Sequence, residues 1–533
     1  MGELTRREIL KAFLGMAALQ TISCDRKATL PEGKLVDLTL LEQGHRIRDG
    51  LQIEPTKRQP VSVVIVGCGV AGLVAGWTLR QAGFEDFLLL ELDSTVGGTA
   101  RSGRNSFISY PWGAHYVPVP RKENADLIEF LQQIGVVEGK DETGEPIVAE
   151  QYLCRDPEER VFYKGHWYEG LYLSVAASQE DLAEWNRFHQ EIDYWVEWRD
   201  ARGRRAFDIP LENSSDDPEV TKLDRISMRE YLAHKGFKSA RLLWYIEYGC
   251  RDDYGLKLDT TSAWAGLFYF ASRMKRAGED AQQLMAWPAG NGYLVDRLYS
   301  KVSDKVWLNS AAVTIIPTEA YVDIDVLRDG REAIGLRAQR AIFAAPQFLR
   351  KYVLRTPVEQ RFLEAFEYGS WMVANLTLRD RPYSLGFPLA WDNVLYESPS
   401  LGYVVATHQA LMDYGPTVFT YYYPVIEDNP RQARQKMLSI GWQEWVEIVL
   451  ADLKRAHRNI AQLTERIDVM RWGHAMILPR PGFIWSKERQ LAKQPIGRVH
   501  FAASDLSGVA LFEEAFYQGR RAAREVLVAL GIV

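Results

Sequence analysis

The chain has 533 residues, of which 47% are hydrophobic and 25% charged, and its formal net charge is −6. That length implies two or three domains with a large core, and the composition is that of a globular chain. The acidic balance and the lack of a long basic run argue against nucleic-acid binding. Beyond the N-terminal segment no stretch of 18 apolar residues suggests a transmembrane helix. Among four cysteines there is no CxxC, and no His/Cys cluster has zinc spacing, so no metal is indicated. Only Cys154 and Cys250 are placed to pair in an oxidising compartment, and two free buried thiols are expected.

The first element in chain order is Thr5-Arg6-Arg7-Glu8-Ile9-Leu10-Lys11, which matches a twin-arginine export signal. An apolar run follows at residues 12–19. At about ten residues it is too short for a bilayer, which needs roughly 20, but it suits the h-region of a signal peptide. Thr21-Ile22-Ser23-Cys24 resembles a lipobox, which would place a lipid on Cys24, and Asp25 resembles an inner-membrane retention signal. A single acylated residue would anchor the protein without a spanning helix. Residues 25–57 read as a tether packing onto the body, with a helix over residues 35–42.

Residues 61–104 carry the strongest motif. A strand-like run over 61–66 enters Gly67-x-Gly69-x-x-Gly72, a helical pattern runs over 73–81, and a second strand over 87–90 ends at Glu91. This is the full order of a dinucleotide-binding βαβ unit. Gly67 permits the tight turn, Gly69 lets the backbone approach a pyrophosphate, and Gly72 allows close helix–strand packing. The helix N-terminus offers N–H groups and a positive dipole end to phosphate. Gly67, Gly69, Ala71 and Gly72 are therefore candidate cofactor contacts. Glu91 suits ribose hydroxyls, and its charge would repel a 2′-phosphate, which argues against NADP. On these grounds alone the nucleotide is NAD or FAD.

Val96-Gly97-Gly98-Thr99-Ala100-Arg101-Ser102 decides between them. Here the chain resembles the flavin-containing amine oxidase superfamily. That group includes monoamine and polyamine oxidases, amino-acid oxidases, carotene desaturases and protoporphyrinogen oxidases. The resemblance implies FAD, with Gly97 and Gly98 near its phosphates. Thr99 stands where the family often has arginine, and Arg101 substitutes for that charge. Trp112-Gly113-Ala114-His115-Tyr116 is similar to the stretch beneath the isoalloxazine ring, which makes Gly113, Ala114 and His115 cofactor contacts. Trp287-Pro288-Ala289-Gly290-Asn291-Gly292-Tyr293-Leu294 resembles the opening of the second FAD segment. Val313 falls where a valine backbone holds adenine. Residues 341–346 are similar to the strand closing that segment. Residues 499–505 resemble the last strand, ending at Asp505 on the ribityl chain, and Glu513 takes a cofactor role in the helix that follows.

The resemblance implies an α/β fold, a discontinuous Rossmann-like FAD-binding domain with an inserted α+β substrate domain. The expected division is a signal peptide over 1–24, a tether over 25–57, an FAD domain over 58–117, 285–347 and 470–533, and a substrate domain over 118–284 and 348–469. Helical spacing marks residues 125–135, 180–199 and 434–456, and Val, Thr and Tyr mark strands at 403–407 and 418–423. In the tyrosine run 421–423, strand alternation sends only some phenols inward. The substrate cleft is expected between the domains.

Many family members flank the flavin with two aromatic residues. Here those positions fall near Ala475 and Met476 and near Leu511 and Phe512, so the cage is absent or rebuilt, with Trp472 or Phe512 as a wall. The lysine that many members place near the flavin nitrogen falls at Lys351 or Tyr352, which makes Lys351 a catalytic candidate. His474 is a further catalytic candidate, as an imidazole base near neutral pH. The leading expectation is an exported FAD-dependent oxidoreductase that oxidises an amine of the polyamine or amino-acid class, with oxygen or a quinone as electron acceptor. The twin-arginine machinery, its partner in export, carries folded proteins, so FAD would be inserted beforehand. The alternatives are oxidation or desaturation of an apolar substrate feeding a membrane quinone, and a non-catalytic flavoprotein partner.

Overall fold

The computed structural model describes residues 30–279, 281–356 and 360–533. The export motif at residues 5–11, the apolar run and Cys24 lie outside the described residues. Two seven-stranded sheets organise the rest. In the first, Arg58–Val66 lies centrally, paired in parallel with Phe87–Leu90 on one side and Glu332–Phe343 on the other. Val306–Trp307 extends one edge, in parallel with Phe87–Leu90. The long strand Glu332–Phe343 is shared at its far side. Its start pairs with Val322–Arg328, which pairs in turn with Ser310–Pro317, and its end pairs in parallel with Val499–Phe501.

The sheet's inner positions, Val63, Val64 and Ile65, are fully buried, as a parallel strand covered on both faces requires. Helix Val70–Gln81 packs against the C-terminal helix Phe512–Ala529. A Cβ on Gly519 would stand 2.4 Å from the Ala71 carbonyl oxygen, so only glycine permits this approach. The expected elements at residues 61–66, 73–81 and 87–90 thus appear as Arg58–Val66, Val70–Gln81 and Phe87–Leu90.

The second sheet runs Thr464–Ile477, Tyr368–Leu378, Thr417–Val425, Gly402–Val405, Asp392–Leu395, Glu159–Tyr163, His166–Glu169. Its strand Thr464–Ile477 crosses residue 470, where the boundary was expected, without a break. The reason is pairing: this strand aligns with nearly all of Tyr368–Leu378. The helix expected over 434–456 is two helices, Pro430–Ser439 and Trp442–Lys454, parted at Ile440 and Gly441. Helices Gln179–Glu197, Ala240–Tyr254 and Ala263–Ala271 build the first insert around a separate apolar core. The first of these opens with a capping box in which Ser178 and Asp181 satisfy each other's backbone N–H groups.

The segment before residue 58 is fixed to the body. Glu32 and Leu35 bridge in parallel to Arg466 and Val469 at the edge of the second sheet. Asp37 and Arg471 then form a buried ion pair with an Nε–Oδ2 distance of 3.1 Å. The helix expected at 35–42 occurs at Leu38–Arg48. Cys154 and Cys250 are free; Cys250 is buried and Cys154 only half-buried. No helix among the described residues is long and apolar enough to cross a membrane, and no group of His, Cys, Asp and Glu among them could hold a metal ion.

Candidate active site

The glycine loop is built by close approach. Gly67 has φ 103°, and a Cβ there would come within 2.9 Å of the Ala344 carbonyl oxygen. A Cβ on Gly72 would collide with the Gly67 carbonyl at 1.8 Å, whereas one on Gly69 meets nothing within 4 Å. The chain is therefore tight behind the loop and open in front of Gly69, where the first turn of Val70–Gln81 presents its N–H groups. Gly97 bridges to Gly69, its N–H donating to the Cys68 carbonyl at 2.8 Å, with φ 107°. Gly98 follows at φ 56°. Glu91 closes the loop by accepting the N–H groups of Cys68 at 2.9 Å and Asp93 at 3.0 Å. Burial raises its pKa, with these two hydrogen bonds opposing the shift.

Arg101 pairs with Asp93 and donates to the Gly98 carbonyl at 3.0 Å. Its guanidinium lies 5.3 Å from the Trp472 ring centre. Trp472 donates its indole N–H to the Trp112 carbonyl at 2.6 Å, so it holds the 112–116 stretch rather than standing free. Behind that stretch, Gly113 is pressed on Thr99 and Ala114 donates to the Thr99 carbonyl at 3.1 Å. The turn before helix Gly292–Ser300 clamps the same segment: the Asn291 N–H donates to the Ala114 carbonyl, and its side-chain amide donates to Tyr116 at 3.0 Å.

The remaining expected cofactor contacts fall as follows. A β-bulge displaces Val313 from the register of its antiparallel pair, which removes it from regular pairing. Asp505 is buried. Its Oδ2 accepts from the Gln347 N–H at 2.8 Å and from the Tyr368 hydroxyl, while its Oδ1 has no protein partner. A buried acceptor left without a donor is costly, and a ribityl hydroxyl would satisfy it. Glu513 is buried beside Arg273 and lines a small cavity with Pro118, Arg121 and Gln282. Its pKa is pushed up to about 7 by burial. An FAD therefore fits the residues present: open space at Gly69, positive-φ glycines at 97 and 98, an acid at 91 and an unsatisfied acceptor at 505.

The expected catalytic side chains do not converge. Lys351 is exposed on the short helix Arg350–Val353, its Nζ 4.8 Å from the Tyr352 ring centre. His474 stacks on Phe348 at 3.9 Å, and burial together with the charges of Arg434, Lys351 and His45 pushes its pKa down to about 3. It is neutral and only weakly basic, which corrects the expectation of a base poised near neutrality. Phe512 is buried in the core and packs on Phe516, so it walls no cleft.

A different set of aromatic residues surrounds the 113–116 stretch. His115 lies 4.8 Å from the Tyr422 ring and 5.5 Å from the Trp391 ring, and burial pushes its pKa down to about 4. Tyr422 donates its hydroxyl to the Gly113 carbonyl at 2.8 Å. Its neighbours Tyr421 and Tyr423 face the other side of the sheet, where Tyr421 donates to Asp452 at 2.8 Å. Tyr422→Phe is expected to cost about 1 kcal/mol, the worth of one hydrogen bond, read as a lowered denaturation midpoint.

Beside these rings the sheet brings acids together. Asp392 sits directly opposite Glu159 in the parallel pair Asp392–Leu395 with Glu159–Tyr163. Tyr248 donates to Asp392 at 3.2 Å, and Asp252 follows one turn later on the same helix. Burial raises all three, Glu159 to about 7, Asp252 to about 7 and Asp392 well above the usual range, with repulsion added by Glu158 at Glu159, by Asp253 at Asp252, and by Asp252 and Glu159 at Asp392. Asp253 is different, because Arg273 donates to both its oxygens at 2.9 and 2.7 Å. Among the described residues, none of Glu159, Asp252 and Asp392 has a cation at ion-pairing distance. Ionising neighbouring buried acids is unfavourable, and carboxyls shifted this far make the cluster a candidate functional site. No local sequence pattern announces it; only the parallel pairing of distant strands assembles it.

The family model for flavin containing amine oxidoreductases matches residues 70–527. No curated protein sequence matches the chain. Among solved structures, a wild-type putrescine oxidase bound to putrescine is 18% identical over 89% of this chain and 100% of its own, with a TM-score of 0.64. A cyclohexylamine oxidase from Brevibacterium oxydans IH-35A is 15% identical over 88% and 99%, with a TM-score of 0.61. A CLA-producing fatty acid isomerase from P. acnes is 16% identical over 89% and 99%, with a TM-score of 0.58. At these identities the structures share the fold. With the family model covering most of the chain, from the first turn of helix Val70–Gln81 into the C-terminal helix, the chain belongs to the flavin containing amine oxidoreductases and is an FAD-dependent oxidoreductase of that group.

Proposed function

We propose that the protein oxidises a cationic amine of the polyamine or amino-acid class. The observation that carries this reading is the acid-rich, aromatic-walled cluster of Glu159, Asp252 and Asp392 beside His115, Trp391 and Tyr422. Bound FAD supplies a hydride acceptor, while the protein orients the substrate and tunes the electrostatics. Glu159 and Asp252, which ionise near pH 7, attract an ammonium group, and ring faces add cation–π attraction. His115, held neutral, adds no competing positive charge. Carboxylates with pKa values of about 7 can take the proton that an ammonium must lose before its carbon is oxidised. The electron acceptor is oxygen or a quinone.

The test is an anaerobic titration of the flavin-loaded protein with amines, polyamines and amino acids. Loss of oxidised-flavin absorbance with at least one of them is expected. A flavin that stays oxidised across the whole panel overturns the reading. The second reading, an apolar substrate, draws on half-buried Trp472, Ala475 and Met476 at the end of one strand and on the fold shared with a fatty acid isomerase; reduction by an apolar compound alone would favour it. An extracytoplasmic location, reached through the twin-arginine machinery and held by a lipid on Cys24, is part of the same proposal. It rests on residues 5–24.

A further inference from the structure

One end of the second sheet carries an unusual set of exposed apolar side chains. Tyr414 is 90% exposed, Tyr383 76%, Leu411 73% and Leu385 48%. They sit on two loops, one following Tyr368–Leu378 and one preceding Thr417–Val425. Arg381 stitches the loops together, donating to the Gly415 carbonyl at 2.6 Å, to the Thr407 hydroxyl at 3.0 Å and to the Met412 carbonyl. Leu411 holds φ 57°, a conformation that branched side chains rarely adopt. Exposed apolar side chains scattered singly need no explanation, but a contiguous group marks an interaction surface.

The path of the N-terminal segment says what covers this group. Leu378 pairs with both Thr464 and Thr417, so these residues define one end of the sheet. The chain enters at that same end: Glu32 bridges to Arg466 and Leu35 to Val469, in parallel. Residue 30 therefore emerges beside the exposed loops, and Leu30 is itself 42% exposed. Before it lie residues 1–29, with the apolar run at 12–19 and Cys24 only six residues away, at most about 20 Å of extended chain. A short apolar segment or a single acyl chain binds a bilayer only marginally, and stable attachment takes a second contact. Tyr383 and Tyr414 have the amphipathic rings favoured at a membrane interface. Arg379 and Arg458, both exposed, lie at this end too: Arg379 donates to the Leu463 carbonyl, and Arg458 follows His457, whose Nδ1 is 3.4 Å from the Tyr383 carbonyl. Exposed Asp380 and Asp413 at the same end offset these charges, so the apolar side chains make the contact.

We infer that the 383–385 and 411–414 loops dock on a lipid bilayer, forming the second attachment beside the N-terminal segment. The inference is independent of the substrate reading. It also sets the loop that Gln409 ties to Leu153, at 2.6 Å, against the membrane, close to the strand that begins at Glu159.

The experiment is co-sedimentation of the full chain with vesicles of phosphatidylethanolamine and phosphatidylglycerol. Leu411→Ser combined with Tyr414→Ser is compared with wild type and with Val528→Ser, a control at another exposed apolar residue on the C-terminal helix. The double variant is expected to partition about tenfold less while melting at the wild-type temperature, and the control to partition as wild type does. Equal partitioning of all three overturns the inference. So does loss of self-association without a change in vesicle binding, which would make the surface a contact between copies. Should the double variant melt early, Tyr383→Ser alone is expected to weaken binding in the same direction.

Discussion

Replacing Glu159 by Gln is expected, at pH 8, to stabilise the protein and to cripple amine turnover at once. Burial pushes the Glu159 pKa up to about 7, so it is ionised at that pH, within electrostatic reach of Glu158 and Asp252, whereas burial drives Asp392, opposite it, toward its protonated form. Like charges a few ångströms apart repel by on the order of 1–4 kcal/mol at the effective dielectric of partly buried sites. Glutamine keeps the side-chain shape and removes the charge. A gain of about 1–3 kcal/mol follows, which for a chain of this size raises Tm by about 1–3 °C. The same change removes a counter-charge for the substrate cation. Loss of a desolvated charge pair costs about 2–3 kcal/mol, or roughly 30- to 160-fold in kcat/KM. Unchanged amine kinetics in this variant would remove the cluster from substrate binding.

The pH dependence of the wild type follows from the same three groups. Their pKa values in the folded state are raised above the unfolded carboxylate range of about 4, with Glu159 and Asp252 at about 7. Between these limits the folded chain binds more protons than the unfolded chain. Stability contributed by this cluster is therefore greatest at low pH and declines as pH rises from about 4 through 7. A cationic amine reverses the trend by neutralising the ionised cluster. Its stabilisation of the protein, measured as a thermal shift, is expected to be larger at pH 8 than at pH 5.5. Glu159→Gln should flatten that difference. An equal shift at both pH values would separate ligand binding from these carboxylates.

The contrast between cofactor site and cleft explains which parts of the molecule are legible in one dimension. The dinucleotide loop is local: strand, glycine turn, helix and Glu91 lie within about thirty residues, and each glycine answers a steric demand visible in the pattern. Asp505 is distant, but it too follows a short strand, Val499–Phe501, and precedes a helix. The cleft is assembled otherwise. Glu159 and Asp392 become neighbours only because two strands more than two hundred residues apart pair in parallel. Asp252 arrives from a helix of the first insert and Tyr422 from the middle of an antiparallel run. Alternation does say that Tyr422 points opposite to Tyr421 and Tyr423, but not which face meets His115. Phe512 fails as a cage wall for a related reason: its helix turns it into the core against Phe516. His474 fails as a base because burial, together with the charges of Arg434 and Lys351, neither adjacent in sequence, suppresses its protonation.

Two alanine substitutions three residues apart are expected to fail in different ways. In Gly72→Ala the new methyl would meet the Gly67 carbonyl at 1.8 Å and the Ala344 side chain at 3.3 Å. Neither the loop backbone nor the central strand can withdraw without breaking the packing of helix Val70–Gln81. This overpacking is expected to cost about 3 kcal/mol or more, so the variant should melt early or fail to accumulate as folded protein. In Gly69→Ala the methyl meets nothing within 4 Å, and the backbone, at φ −67° and ψ −179°, is one that any residue adopts. The protein without cofactor should therefore fold and melt as wild type does. The free space in front of Gly69 is what the pyrophosphate requires, and a methyl group there holds the phosphates off the helix N-terminus. FAD affinity is expected to fall at least 100-fold, measured by flavin fluorescence on dilution. A Gly69→Ala variant that retains its flavin would move the pyrophosphate away from this loop. A Gly72→Ala variant with normal stability would show that the loop relaxes, and that close helix–strand contact is not what fixes glycine at position 72.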